Sequence, residues 1–256
     1  MSGRVLVETV GPVAWLVLDN PERRNALTAQ MMEQLLAAME RAGEDESVRV
    51  VVMRGAGELA FVSGADISAF GSASGVDNGP RPEDVTAAIR GLAKPVVAAL
   101  RGWCLGAGVL LALAADIRLA GDDTRMGIPA AKLGIAYPRD GVDRLVALAG
   151  PAVASEMLMT GEPLDAAGAR RAGLVNRVVP AAELFDEAQR LAGVLAANAP
   201  LTLVASKRTI ASVQVPSDPV AAAEADEAVS TCFRSLDFKE GRQAFAEKRR
   251  PHFTGR

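Results

Sequence analysis

Pro95-Val96-Val97-Ala98-Ala99-Leu100-Arg101-Gly102-Trp103-Cys104-Leu105-Gly106-Ala107-Gly108-Val109-Leu110-Leu111-Ala112-Leu113-Ala114-Ala115-Asp116-Ile117-Arg118-Leu119-Ala120 decides the fold class. It reads as a strand from Pro95 to Leu100, a glycine turn from Gly102 to Leu105, a helix from Gly106 to Ala115 and a strand from Ile117 to Ala120. Strands alternating with helices in this way indicate an α/β fold. The apolar run from Leu105 to Ala115 is bracketed by Arg101, Asp116 and Arg118. It is far shorter than the roughly 20 residues a bilayer requires, so it reads as a buried core helix.

Outward from that stretch the same alternation continues. Arg4 to Val10 and Val13 to Asp19, separated by Gly11-Pro12, read as a hairpin. Thr28 is placed to cap a helix reaching about Ala42, whose Met31, Met32, Leu35, Leu36 and Met39 fall at helical spacing. Val48 to Arg54 reads as a buried strand and Glu83 to Leu92 as a helix. Phe70 to Pro82, rich in Gly, Ser, Asp and Pro, is the expected mobile loop. From about Ala152 the pattern is nearly all helical, with helices expected at 184–197, 201–213, 219–236 and 238–248. The expected organisation is a core over residues 1–195 and a helical C-terminal region over 196–256 that serves packing or oligomerisation.

The bulk numbers exclude several classes. The chain has 256 residues, half of them apolar, and a net charge of −3. That charge gives no basic footprint for nucleic acid. Cys104 and Cys232 lie far apart in the sequence and read as reduced thiols. Two cysteines and one histidine offer no metal cluster. The start of the chain leads straight into a strand with no apolar signal region, so a cytoplasmic protein with no membrane partner is expected.

Two glycine-rich elements carry the functional signal. One is Ala60-Phe61-Val62-Ser63-Gly64-Ala65-Asp66-Ile67, and the other is Gly102 to Gly108. Both place small residues where backbone N–H groups stand uncovered, and two such donors converging on one carbonyl make an oxyanion hole.

Together with motifs spread along the chain, these elements resemble the crotonase superfamily, also called the enoyl-CoA hydratase/isomerase family. The matching stretches are Asn20-Pro21-Glu22-Arg23-Arg24-Asn25-Ala26-Leu27, Ser63 to Ile67, Lys94 to Gly102, Leu105 to Gly108 and Asp116 to Ala120. Thr160-Gly161-Glu162, Ala172 to Asn176 and Glu240 to Arg249 follow in order. The resemblance implies a spiral of strand–strand–helix turns, a C-terminal trimerisation region, and a homotrimer or dimer of trimers. It also implies an acyl-CoA thioester as substrate, with no separate cofactor and no metal.

By that pattern the oxyanion donors are the N–H groups of Ala65 and Ala107. Arg24, Ala26, Ala65, Asp66 and Ile67 cradle CoA, and Lys248 of a neighbouring subunit approaches its phosphates. Hydratases of the family carry two glutamates, and the matching positions here are Leu110 and Ala130. Neither can move a proton, and losing such a group costs about 10²–10⁴ in rate. Isomerase or decarboxylase chemistry is therefore expected ahead of efficient hydration. Tyr137 is expected to orient a substrate carboxylate, and Asp140 is the remaining acid–base candidate for shuttling a proton. A weak hydratase and a non-catalytic acyl-CoA-binding protein are the competing readings. Gly106-Ala107-Gly108 lacks the spacing of a dinucleotide-binding loop.

Overall fold

The computed structural model of the chain describes residues 3–66, 79–214 and 218–256. Its main sheet has six strands, β1 (Arg4–Val10), β2 (Val13–Asp19), β3 (Val50–Gly55), β5 (Val96–Leu100), β7 (Ile117–Gly121) and β10 (Arg177–Val179), in that spatial order. The β1–β2 pair is the expected antiparallel hairpin and every later neighbour is parallel. A second sheet has four strands, β4 (Ala60–Val62), β6 (Trp103–Leu105), β8 (Arg125–Gly127) and β9 (Leu164–Asp165). In it β4, β6 and β8 run parallel, and β9 returns antiparallel to β8.

Side-chain alternation explains why the central strands of the main sheet are buried on both faces. Val51, Met53 and Ala98 belong to one apolar cluster, while Val50, Val52, Val97 and Ala99 belong to another. This is the two-residue period of a strand read on each side in turn. The first cluster lies between the two sheets and takes in α1 (Ala29–Glu44), α2 (Pro82–Gly91) and α3 (Ala107–Ala114). The second is closed by Leu184, Ala188, Leu191 and Ala192 of α7 (Leu184–Ala197). Along the chain, α4 (Ala130–Leu133), α5 (Arg139–Thr160) and α6 (Ala166–Arg171) come between α3 and α7. The chain ends in α8 (Pro200–Gln214), α9 (Pro219–Arg234) and α10 (Leu236–Ala246).

Local signals set several of the boundaries. Thr28 caps α1 as expected, its Oγ1 accepting from Met31 N–H at 3.2 Å. Gly134 and Gly161 end α4 and α5 in the left-handed conformation.

Two of the sequence expectations need correction. Trp103 to Leu105 is a strand of the second sheet rather than a plain turn, because both of its edges are taken by β4 and β8. The region after Ala152 is not purely helical, since β9 and β10 complete the two sheets. Residues 139–160 form one helical run broken at Gly150 (φ 77°) before Pro151. Most of the Phe70–Pro82 segment lies outside the described residues, and Pro82 itself opens α2.

Lys207 of α8 ties the C-terminal helices to the core. Its ammonium donates to Asp116 Oδ2 at 2.9 Å and to the carbonyls of Lys94 and Ile89 at 3.2 and 3.3 Å. Asp116 also accepts from Val96 N–H at 2.8 Å, so this helix-end aspartate braces β5 and α8 together.

Candidate active site

The two glycine-rich elements meet at the ends of parallel strands. β4 and β6 pair in parallel, with Val62 opposite Cys104, so both chains leave the sheet on the same side. A Cβ on Gly106 would come within 3.9 Å of Gly64 Cα, and a Cβ on Gly64 would come equally near the Leu105 carbonyl. Gly106 has φ 51° and ψ −111°, a conformation suited to glycine. Gly108 is required for a different reason, since a Cβ there would lie 2.3 Å from the Val62 carbonyl oxygen. The first turn of α3 can press onto β4 only because that side chain is missing.

Ala65 and Ala107 follow those turns. Gly64 O accepts from Leu27 N–H at 2.9 Å, and Leu27 O accepts from Asp66 N–H at 2.8 Å. This bridge pins the peptides on both sides of Ala65 while leaving its own N–H without a partner among the described residues. Ala107 is the first residue of α3, and its N–H is one of the orphan donors of a helix start. The positive end of the α3 dipole lies at the same place. Two unengaged amides on adjacent turns can receive one oxyanion.

Two buried asparagines hold the neighbouring loop. Asn25 Nδ2 donates to the carbonyls of Ala56 and Ala60 at 3.0 and 2.8 Å, while its Oδ1 accepts from Asn20 N–H at 3.0 Å. Asn20 Nδ2 donates to Ala26 O at 2.9 Å. The Asn20…Asn25 pair in the motif is thus a scaffold, a part that sequence reading did not give it. On that scaffold Arg24, Ala26, Ala65 and Asp66 come together, with Ser63 N–H donating to Arg24 O at 3.1 Å. The Arg24 side chain is exposed, and Asp66 is ion-paired with Arg23. Ile67 lies outside the described residues. Lys248 is not brought to this loop. It is exposed beyond α10, in the left-handed region (φ 54°), and α10 packs on α9.

The wall opposite the donors is apolar. Leu110, one helical turn after Ala107, is buried, as is Ala130 at the start of α4. Both belong to the same cluster as Ala107, and Tyr137 packs against it. Gly141 fits between Leu110 and Tyr137, since a Cβ there would meet Leu110 Cδ2 at 2.2 Å and the Tyr137 ring at 2.8 Å. Tyr137 OH donates to Gly106 O at 3.1 Å, the carbonyl of the peptide unit whose N–H belongs to Ala107. Its proton is therefore committed to backbone, where the sequence reading expects a substrate carboxylate. Burial pushes the phenol well above its ordinary pKa, and the Glu83 carboxylate adds to the shift. The group stays a hydroxyl and a donor.

Asp140 sits on the first turn of α5 with Oδ1 2.9 Å from Arg90 Nη1. It lines a narrow crevice with Thr86, Arg90, Leu110, Leu113, Ala114, Gly141 and Arg144. The Arg90 contact thus occupies one oxygen of the carboxylate that the sequence reading expects to shuttle a proton. Arg144 reaches inward, its Nε donating to Leu113 O at 3.0 Å. Glu83 and Thr86 were read only as helix residues. The signal for their place was the helix directly preceding the Lys94–Gly102 strand, which has to pack beside α3.

Comparison with known proteins places the chain in a family. The family model described as enoyl-CoA hydratase/isomerase matches residues 8–256. A crotonyl-CoA hydratase of Syntrophomonas wolfei is 33% identical over 98% of each chain. A carnitinyl-CoA dehydratase of Citrobacter koseri is 38% identical over 96% of each. A solved enoyl-CoA hydratase/isomerase family protein from Hyphomonas neptunium superposes with a TM-score of 0.90 at 34% identity, over 98% of each chain. The chain therefore belongs to the enoyl-CoA hydratase/isomerase family of the crotonase superfamily, whose members act on acyl-CoA thioesters.

Proposed function

We propose that this protein is a cytoplasmic enzyme that turns an acyl-CoA thioester into its enolate, with the thioester oxygen held by the N–H groups of Ala65 and Ala107. The observation that carries the reading is the pair of unengaged amides on the abutting Gly64 and Gly106 turns. Each such donor contributes about 10²–10³ in rate when charge develops on the oxygen. Arg24, Ala26, Ala65, Asp66 and Ile67 hold the nucleotide end of CoA, and Lys248 of a neighbouring copy closes over its phosphates. Assembly as a trimer or dimer of trimers is supported by the apolar side chains exposed on the C-terminal helices, among them Ile210, Val213, Phe233 and Phe245.

The chemistry favoured is double-bond isomerisation or decarboxylation. Adding water requires a base for the water and an acid for the α-carbon, and Leu110 and Ala130 supply neither. Decarboxylation needs no base, because loss of CO₂ itself creates the enolate. The names of the relatives favour a second reading, a weak hydratase that works through bound water. Mass spectrometry after incubation with 2-enoyl-CoA, 3-enoyl-CoA and malonyl-type CoA separates the readings. The expected result is no gain of water, together with loss of CO₂ or, by chromatography, a shifted double bond. Rapid gain of water would overturn the preference, and tight binding with no turnover of any substrate would mark a binding protein.

A further inference from the structure

We propose that Glu83, on the first turn of α2, is the catalytic acid–base group of this site. The proposal rests on the enolate reading above. It starts from a deficit: the donor pair can hold an enolate, but the side chains flanking Ala107 cannot move the proton that makes one. All residues of α3 are apolar or glycine, and Ala130 is a methyl group.

The packing of α2 beside α3 places a carboxylate in the gap. Lys207 fixes the relative direction of the two helices. Its single ammonium bonds Ile89 O near the end of α2 and Asp116 just beyond the end of α3. The two C-terminal ends are therefore side by side, and since the helices pack along each other, their N-terminal turns are too. Glu83 precedes Ile89 by as many residues as Leu110 precedes Asp116. At about 1.5 Å rise per residue, Glu83 stands level with Leu110. Thr86, three residues on and so on the same helix face, lines the crevice against Leu110 and Leu113. Glu83 is half-buried, and its carboxylate adds to the field at Tyr137, which packs beside Leu110.

The surrounding carboxylates are already engaged. Asp66 is paired with Arg23, Asp140 with Arg90, and Asp143 with Arg139 at 3.6 Å. Among the described residues Glu83 has no ion pair. A carboxylate from α2 thus occupies the level at which α3 carries a leucine.

With a 3-enoyl-CoA the step balances without a co-reactant. The Glu83 carboxylate takes the proton from C2, and the C–H electron pair passes into a dienolate whose oxygen is held by Ala65 and Ala107. The Glu83 carboxyl then returns the proton to C4, forming the new C–H bond and leaving the 2-enoyl thioester and the carboxylate.

The test measures hydrogen–deuterium exchange at C2 in heavy water by mass spectrometry, together with conversion of 3-enoyl-CoA to 2-enoyl-CoA. Native protein is compared with Glu83→Gln, Glu83→Asp and Asp140→Asn, each checked for an unchanged melting curve. Glu83→Gln is expected to lose exchange and conversion by about 10²–10⁴ in kcat with KM little changed. Glu83→Asp, which keeps the acid, is expected to recover part of the loss. Exchange in Glu83→Gln within a few-fold of native, or a loss confined to Asp140→Asn, would overturn the assignment of Glu83 while leaving the enolate site standing. Native protein that neither exchanges nor converts the thioester would overturn the enolate reading and this proposal together.

Discussion

The donor turns and the C-terminal tail place their chemistry in opposite currencies. At Gly64–Ala65 and Gly106–Ala107 the working groups are backbone amides, and the nearest side chains are hydrogen or methyl. At the tail the work is done by charges. Arg249 bonds Glu240 through Nη1 at 2.6 Å and Nη2 at 2.9 Å and Glu247 through Nε at 2.5 Å, while Asp237 accepts from the N–H groups of Thr254 and Gly255. The hydrogen bonds from Arg249 hold the Glu240 carboxyl at about 2. Perturbed titration is a common marker of active sites, yet here a strongly shifted carboxyl belongs to a latch. At the donor turns Tyr137 is shifted, raised by burial, while the working amides do not titrate.

The comparison breaks most visibly at Gly108. Gly108→Val sets a side chain against the Val62 carbonyl. Overpacking of this kind costs about 1–3 kcal/mol and sometimes more. Turnover is expected to fall by about 10² as the Ala107 N–H is displaced, because that is the worth of one oxyanion donor. Thermal melting and kcat measured together check both parts, and unchanged kcat in a folded variant would mean that Ala107 is not a donor.

Tyr137→Phe sharpens the same side of the comparison. It removes the hydroxyl that holds the Gly106–Ala107 peptide. Loss of one such bond is worth about 1 kcal/mol, so kcat should drop about five- to tenfold with KM nearly unchanged. A change of KM alone, with kcat retained, would show that the phenol contacts substrate instead of backbone.

The smallest effect lies at the tail. Glu240 has a native pKa of about 2 against an unfolded value of about 4.3. A carboxyl whose native pKa is lowered stabilises the fold above its unfolded pKa, and that stability is lost as pH falls through the native one. The latch should therefore weaken between about pH 4 and pH 2. Glu240→Gln should lower the melting temperature slightly at neutral pH and flatten its acid dependence over that window. Identical pH profiles for the two proteins would remove Glu240 from the latch.

Much of the architecture was legible in the sequence because its signals are local. The Gly11-Pro12 hairpin, the Thr28 cap and the apolar stretch from Val109 to Ala114 each depend on residues within a few positions of one another. The glycine turns were legible for the same reason, since a small residue at a tight turn needs no distant partner to be recognised. Strands β6, β9 and β10 were not legible. Each is at most three residues long and is a strand only because a sheet edge formed elsewhere in the chain accepts it.

The sequence by itself determined the α/β class, the family resemblance and the apolar identity of Leu110 and Ala130. These are matters of residue identity and short-range order. Only the tertiary structure decided that Gly64 and Gly106 touch, that Tyr137 spends its proton on Gly106, that Arg90 occupies Asp140, and that Glu83 stands level with Leu110. Each of those facts joins residues 27 to 50 positions apart. Separations of that size are set by how helices and strands pack, which no local pattern encodes.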